Sequence, residues 1–217
     1  MLLWGTVDRM TEDTSLLVYA TLERKLPGSP WGVDHHTCVE SRTAELIAEE
    51  PKDDYEDVRR TAIGAMDALY FNIGLAWSAG LSIFDLFDAE SGDTERVYEG
   101  FFALNGTPRR FCAHAIHNGL LYISRLYIEP EYRNQGLASL LLEAGLPLLA
   151  GSTTVVAVIP RPDSGDDAPG PELLRRLKKL NRRHGFRTVP GALDMMWLDL
   201  SNSATLSSDP WKDKPRN

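Results

Sequence analysis

Cysteine is scarce: Cys38 and Cys112 are the only two in 217 residues. That is too few for a disulfide framework in a chain this long, so reduced thiols and a cytoplasmic setting are expected. No uninterrupted apolar run reaches membrane-spanning length, and the opening MLLWGTVDRM meets Asp8 and Arg9 too early for a secretory core. No membrane partner is expected. Basic residues are also in deficit, 23 Lys and Arg against 31 Asp and Glu, a net charge of −8. This excludes a broad nucleic-acid surface. Cys-x-x-Cys and His-x-x-x-His spacings are absent, so the DHHTC run at 34–38 reads as a loop packed on the core and no metal is expected. Hydrophobic residues, by contrast, make up 43% of the chain. They suit one domain over 1–200, followed by a polar, mobile tail over 201–217.

The most informative stretch is 120–149, LLYISRLYIEPEYRNQGLASLLLEAGLPLL. Its first part, Leu120 to Ile128, is apolar except at Ser124 and Arg125, as in a strand covered on both faces. Pro130 ends it, having no N–H for a ladder. Leu137, Leu140, Leu141, Ala144 and Leu148 then recur at helical spacing, and Pro147 is expected to kink or end that helix. Between the two lies Arg133-Asn134-Gln135-Gly136-Leu137-Ala138, with small residues where a side chain would hold a ligand off the backbone. The free N–H groups and dipole of a helix start favour phosphate, and Arg133 adds a permanent cation. The run 153–160 is the clearest strand in the chain, completing a β-α-β unit with parallel strands and a right-handed crossover.

Elsewhere, 15–22 reads as a strand closed by a turn at 25–30. Helices are expected at 41–50, with Ala44, Ile47 and Ala48 on one side, and at 54–70, with Val58, Ala62, Ala65, Met66 and Leu69. Residues 71–77 and 81–87 read as two extended segments. The run 93–103 fits a short helix, or a strand ending near Phe102. After a turn at 105–108, 111–117 is expected to pair antiparallel with 120–129 through Asn118-Gly119, which puts His114 and His117 on opposite faces. A loop at 161–170 precedes a basic amphipathic helix over 171–184, with Leu173, Leu174, Leu177 and Leu180 toward the sheet. A last strand occupies 193–200.

Arg133, Gly136 and Ala138, preceded by Leu126-x-Ile128-x-Pro130 and followed at a distance by Gly185-Phe186, resemble the signature of the GNAT-type acyl-CoA N-acyltransferases. The resemblance implies an α/β (α+β) fold: a mixed, mostly antiparallel central sheet with a parallel β-α-β unit at the coenzyme site and helices on both faces. It implies acetyl-CoA as co-substrate, held by Leu126, Tyr127, Ile128, Arg133, Asn134, Gln135, Gly136, Leu137, Ala138 and Ser139. It places acceptor specificity in the segment after the first strand, 41–70, and the helix at 171–184 beside the coenzyme. The acceptor is a primary amine, small or on a protein, attacking directly.

Glu129 is the first candidate base and Asp85 the second; Asp85 and Asp88 either line an acidic acceptor pocket or are solvated. Tyr127 and Tyr132 are candidate acids, because the family's tyrosine, four residues before the glycine, is Asn181 here. Two other readings stay open: a non-catalytic module that binds a CoA ester, and an interaction protein using the basic helix on an anionic partner. A homodimer is compatible with all three.

Overall fold

Most of the described residues in the N-terminal third of the protein lie in strands. The computed structural model describes residues 2–11, 14–24, 34–51, 58–151, 153, 155–161 and 170–202. In it β1 (Leu2–Thr11), β2 (Thr14–Arg24), β3 (Val39–Pro51) and β4 (Val58–Phe71) form an antiparallel meander. The helices expected at 41–50 and 54–70 are therefore β3 and β4, residues 54–57 lying outside the described residues. Alanine accounts for the difference. It is the strongest helix former, yet Ala44, Leu46 and Ala48 also lie two apart, as do Met66, Ala68 and Tyr70, and all six are buried. Small side chains here admit a helix: a Cβ added at Gly145 would sit 3.1 Å from Ala44 Cβ and 3.0 Å from Met66 Cε. Tertiary packing overrides propensity.

Three short helices follow, α1 (Ile73–Ser78), α2 (Ile83–Asp88) and α3 (Gly92–Phe101). The first two replace the extended segments expected at 71–77 and 81–87. Their starts were written in caps, since the Asn72 side chain accepts from the Leu75 N–H and the Ser82 side chain from the Asp85 N–H. Ser91 and Thr94 form a capping box for α3, so the helical reading of 93–103 holds.

Next come β5 (Leu120–Ile128), α4 (Leu137–Ala150), β6 (Val155–Val158), α5 (Pro171–Arg183), β7 (Arg187–Val189) and β8 (Ala192–Asp199). One eight-stranded sheet runs β1-β2-β3-β4-β5-β6-β8-β7, antiparallel throughout except for the parallel β5–β6 pair. β5 thus has a neighbour on each edge, which leaves none for the strand expected at 111–117. That segment turns instead, ending in a 3-10 helix at Ile116–Asn118, and Gly119 enters β5 at φ 115°. Pro147 neither kinks α4 to a stop nor ends it, as the helix runs on to Ala150. Arg42 closes that end: its guanidinium donates to the Leu149 carbonyl and lies 3.9 Å over the Tyr70 ring, a cation at the negative end of the helix dipole.

The sheet separates two apolar layers. On one face Leu46, Met66, Leu121 and Ile123 meet Leu141 and Leu149 of α4. On the other, Phe71, Leu120 and Tyr122 meet Phe87, Tyr98 and Phe101 of α2 and α3, with the Phe71 and Phe87 rings stacked at 4.0 Å. The expected mixed sheet, parallel unit and helices on both faces are all present. His35–Cys38 is a 3-10 helix capped by Asp34, with Cys38 fully buried. The turn at 25–30, most of the loop at 161–170 and the tail beyond 202 lie outside the described residues.

Candidate functional site

Two neighbouring strands part at the centre of the sheet. β5 pairs with β6 only from Leu120↔Val155 to Ile123↔Val158, whereas its pairing with β4 continues to Ile128. Past Ile123 one edge of β5 is therefore open. An irregularity opposite Asp67 and Ala68, at Ser124, shifts the register by one residue. Leu121 and Ile123 face α4 before it, and Leu126 and Ile128 face α4 after it. Arg125, Tyr127 and Glu129 consequently face the opposite side. The Glu129 N–H donates to Ile63 O of β4 at 2.9 Å. By strand alternation the N–H and C=O groups of Leu126 and Ile128 then point to the open edge. The Ile128 carbonyl accepts from Arg133 Nε at 2.8 Å there, as that direction requires.

The open edge forms a cleft of about 80 Å³ whose walls include Ile123 and Leu126 of β5, Leu142 of α4, and Leu177 and Asn181 of α5. α5 does not press its whole stripe on the sheet. Leu173 is 41% exposed, contrary to expectation, while Leu174, Leu177 and Leu180 are half-buried. Asn181 is 5% exposed and occupies the position where the resembled family carries its tyrosine. The Gly185-Phe186 step has a structural reason. Gly185, at φ 85°, donates to Arg182 O, and the Phe186 N–H donates to Asn181 O, the paired bonds of a glycine C-cap.

Below the cleft, a 3-10 turn at Pro130–Tyr132 leads to the expected coenzyme turn. Asn134 (φ 63°) and Gly136 (φ 82°) are both left-handed, a backbone that gathers N–H groups into a concavity. Gly136 caps α4 with no side-chain hydrogen bond, and its carbonyl receives the N–H groups of Ser139 and Leu140. Leu137 and Ala138 precede those first intrahelical bonds, so their N–H groups are available at the positive end of a 14-residue helix. An anionic phosphate fits this arrangement. Arg133 is exposed, but its Nε is committed to Ile128 O and its guanidinium lies 5.6 Å from the Tyr127 ring.

Tyr127 and Glu129, expected as separate candidates, are joined: Tyr127 Oη donates to Glu129 Oε2 at 2.7 Å. Arg125 lies 4.7 Å over the tyrosine ring and 3.7 Å from Asp67, which also accepts from Thr43 Oγ1 at 2.9 Å. Asp85 and Asp88 are exposed on α2 and form no wall of the cleft; Tyr132 packs on the α4 side of the core. One contact has no signal in the sequence, because its partners are 45 positions apart: Ser139 Oγ and His184 Nε2 are 2.7 Å from each other. Burial holds the His184 ring below the usual histidine pKa, with Glu143 opposing and Arg183 reinforcing.

Among known proteins, the Acetyltransferase (GNAT) family matches residues 79–157. No curated protein matches the chain. Among solved structures, Arabidopsis thaliana NAA60 in complex with a bisubstrate analogue is similar at 15% identity and a TM-score of 0.34, over 72% of this chain and 73% of that one, a likeness too distant to argue from. The matched segment runs from the end of α1 through β5, the turn at Arg133–Ala138 and α4 into β6, and over it the chain is similar to the GNAT acetyltransferase family.

Proposed function

We propose that the protein is an N-acetyltransferase that transfers the acetyl group of acetyl-CoA to a primary amine by direct attack. The observation that carries this reading is the parted β5–β6 pair opening beside a helix start with no side-chain cap, both inside the family-matched segment. Leu126, Tyr127 and Ile128 line the acyl arm along the open edge, with the outward N–H of Leu126 or Ile128 as donor to the thioester oxygen. Arg133 to Ser139 receive the pyrophosphate. An alkyl amine with a pKa of ~10.4 is protonated at neutral pH and must lose a proton to attack. Glu129 accepts it. The amine nitrogen forms the C–N bond and gives its second proton to water, the C–S bond breaks, and the sulfur leaves as a thiolate that takes a proton from Tyr127 or from water. The setting is cytoplasmic; among the described residues no helix is long and apolar enough to cross a membrane.

A second reading, a CoA-ester-binding module without turnover, is favoured by Asn181, since an amide cannot serve as the family's acid. Thermal-shift measurement with acetyl-CoA and longer acyl-CoAs, then thiol release with a panel of amines, separates the two. Binding at a hundredfold over Kd stabilises by about 2.7 kcal/mol. Stabilisation with amine-dependent thiol release supports the enzyme, stabilisation without it supports the module, and no stabilisation by any CoA ester overturns both.

A further inference from the structure

The contact between Ser139 and His184 joins two walls of the proposed coenzyme site. Ser139 is the third residue of α4, in the turn whose backbone faces the pyrophosphate, and His184 caps the far end of α5. Their separation of 2.7 Å is a hydrogen bond in which either group can donate. A serine hydroxyl has a single proton. If neutral His184 accepts through Nε2, that proton is spent on the ring, and Ser139 presents only lone pairs to an approaching anion. If His184 is protonated, Nε2–H donates to Ser139 Oγ, the hydroxyl proton turns outward, and a positive charge stands behind it.

Resting on the acetyl-CoA reading, we propose that His184 is a positioning residue whose protonation orients the Ser139 hydroxyl toward the coenzyme pyrophosphate, so that coenzyme binding takes up a proton.

The surroundings set the sign. Glu143, one turn along α4, and Arg183, beside the ring on α5, are the charged groups that act on His184 among the described residues. With burial as the largest effect, they leave the ring below its usual range in the free protein. It is thus neutral near pH 7, and a bound dianionic pyrophosphate raises its pKa. Between the free and bound values, the coenzyme Kd rises with pH, by up to about tenfold per unit for one coupled proton. Below the free value, His184 is charged in both states and the dependence disappears.

The test is calorimetry with dephospho-CoA, which lacks the 3′-phosphate whose own titration near pH 6 would interfere. Titrations run from pH 5.5 to 8.5 in buffers of different ionisation enthalpy, which count the protons taken up. Wild type takes up a fraction of a proton, largest between the free and bound pKa values of the ring. His184→Gln keeps a neutral donor at the ring's position; it still binds, with the uptake lost and Kd flat in pH. Ser139→Ala, which keeps the histidine but removes the hydroxyl, weakens binding severalfold at pH 6 and little at pH 8. Equal proton uptake in wild type and His184→Gln overturns this inference alone. Absence of binding by dephospho-CoA and by acetyl-CoA at every pH overturns the acetyl-CoA reading together with it.

Discussion

Tyr127 and Glu129 share one short hydrogen bond, 2.7 Å from Oη to Oε2, on the face of the sheet opposite α4. Two residues apart, with Glu129 extended just past the end of β5, they lie on the same side, and the register shift at Ser124 decides which side that is. In the proposed reaction, the bond would let a proton taken from the amine by Glu129 be passed on through Tyr127.

Coupling of this kind predicts non-additive kinetics. Glu129→Gln is expected to lower kcat by about 10²–10⁴ with little change in the KM for acetyl-CoA. Tyr127→Phe lowers it less, and the double variant is no worse than Glu129→Gln alone. Steady-state thiol release measures all three. Fully additive losses show that the two residues act separately.

Asn181 offers a gain-of-function test. It borders the cleft between β5 and α5 and has no acidic proton to give the departing sulfur. Asn181→Tyr is expected to raise kcat severalfold where thiolate protonation limits turnover, and to add a fall in rate at alkaline pH. Unchanged turnover identifies Tyr127 or water as a sufficient donor.

The cysteines should be silent in such assays. Cys38 and Cys112 are both fully buried, and burial pushes the Cys112 thiol up to about 12. Disulfide reagents are expected to leave the native protein unlabelled at pH 8 and to count two thiols after unfolding. The folded pKa lies above the unfolded value of 9.0, so this thiol's contribution is intact below pH 9 and is lost as pH rises toward 12. The midpoint of thermal unfolding should fall over that range. Rapid labelling of the native protein contradicts the packing around α3.

Gly145 tests how α4 is seated. Gly145→Leu drives new atoms into Ala44 and Met66 and is expected to cost about 1–3 kcal/mol of stability, read from urea unfolding. Because α4 carries the proposed coenzyme turn, acetyl-CoA should bind more weakly as well. An unchanged midpoint shows that α4 does not lie against β3 and β4.

The turn at Arg133–Ala138 was legible in sequence because its signals are local. Pro130 after an apolar run, and Gly136 ahead of leucines at helical spacing, mark a strand end and a helix start, and both are present, with β5 ending at Ile128 and α4 starting at Leu137. β3 and β4 were not legible. Their alanines satisfy two periods, and only the approach of α4, which starts at Leu137 far along the chain, selects period two. The Ser139–His184 contact lies further still from local signals, since it exists only once α5 returns beside α4. The caps at Asn72 and Ser82, by contrast, were available and outweighed by apolar runs that look extended.

In the proposed function the backbone between Asn134 and Ser139 seats a CoA ester. Calorimetric titration of acetyl-CoA into wild type and into Gly136→Val tests it most directly, since valine at φ 82° costs about 1–3 kcal/mol of backbone strain at that turn alone. Wild type should bind one equivalent. The variant, still folded by circular dichroism, should bind at least about tenfold more weakly, the equivalent of 1.4 kcal/mol. No binding by wild type, or equal affinity in the two proteins, contradicts it.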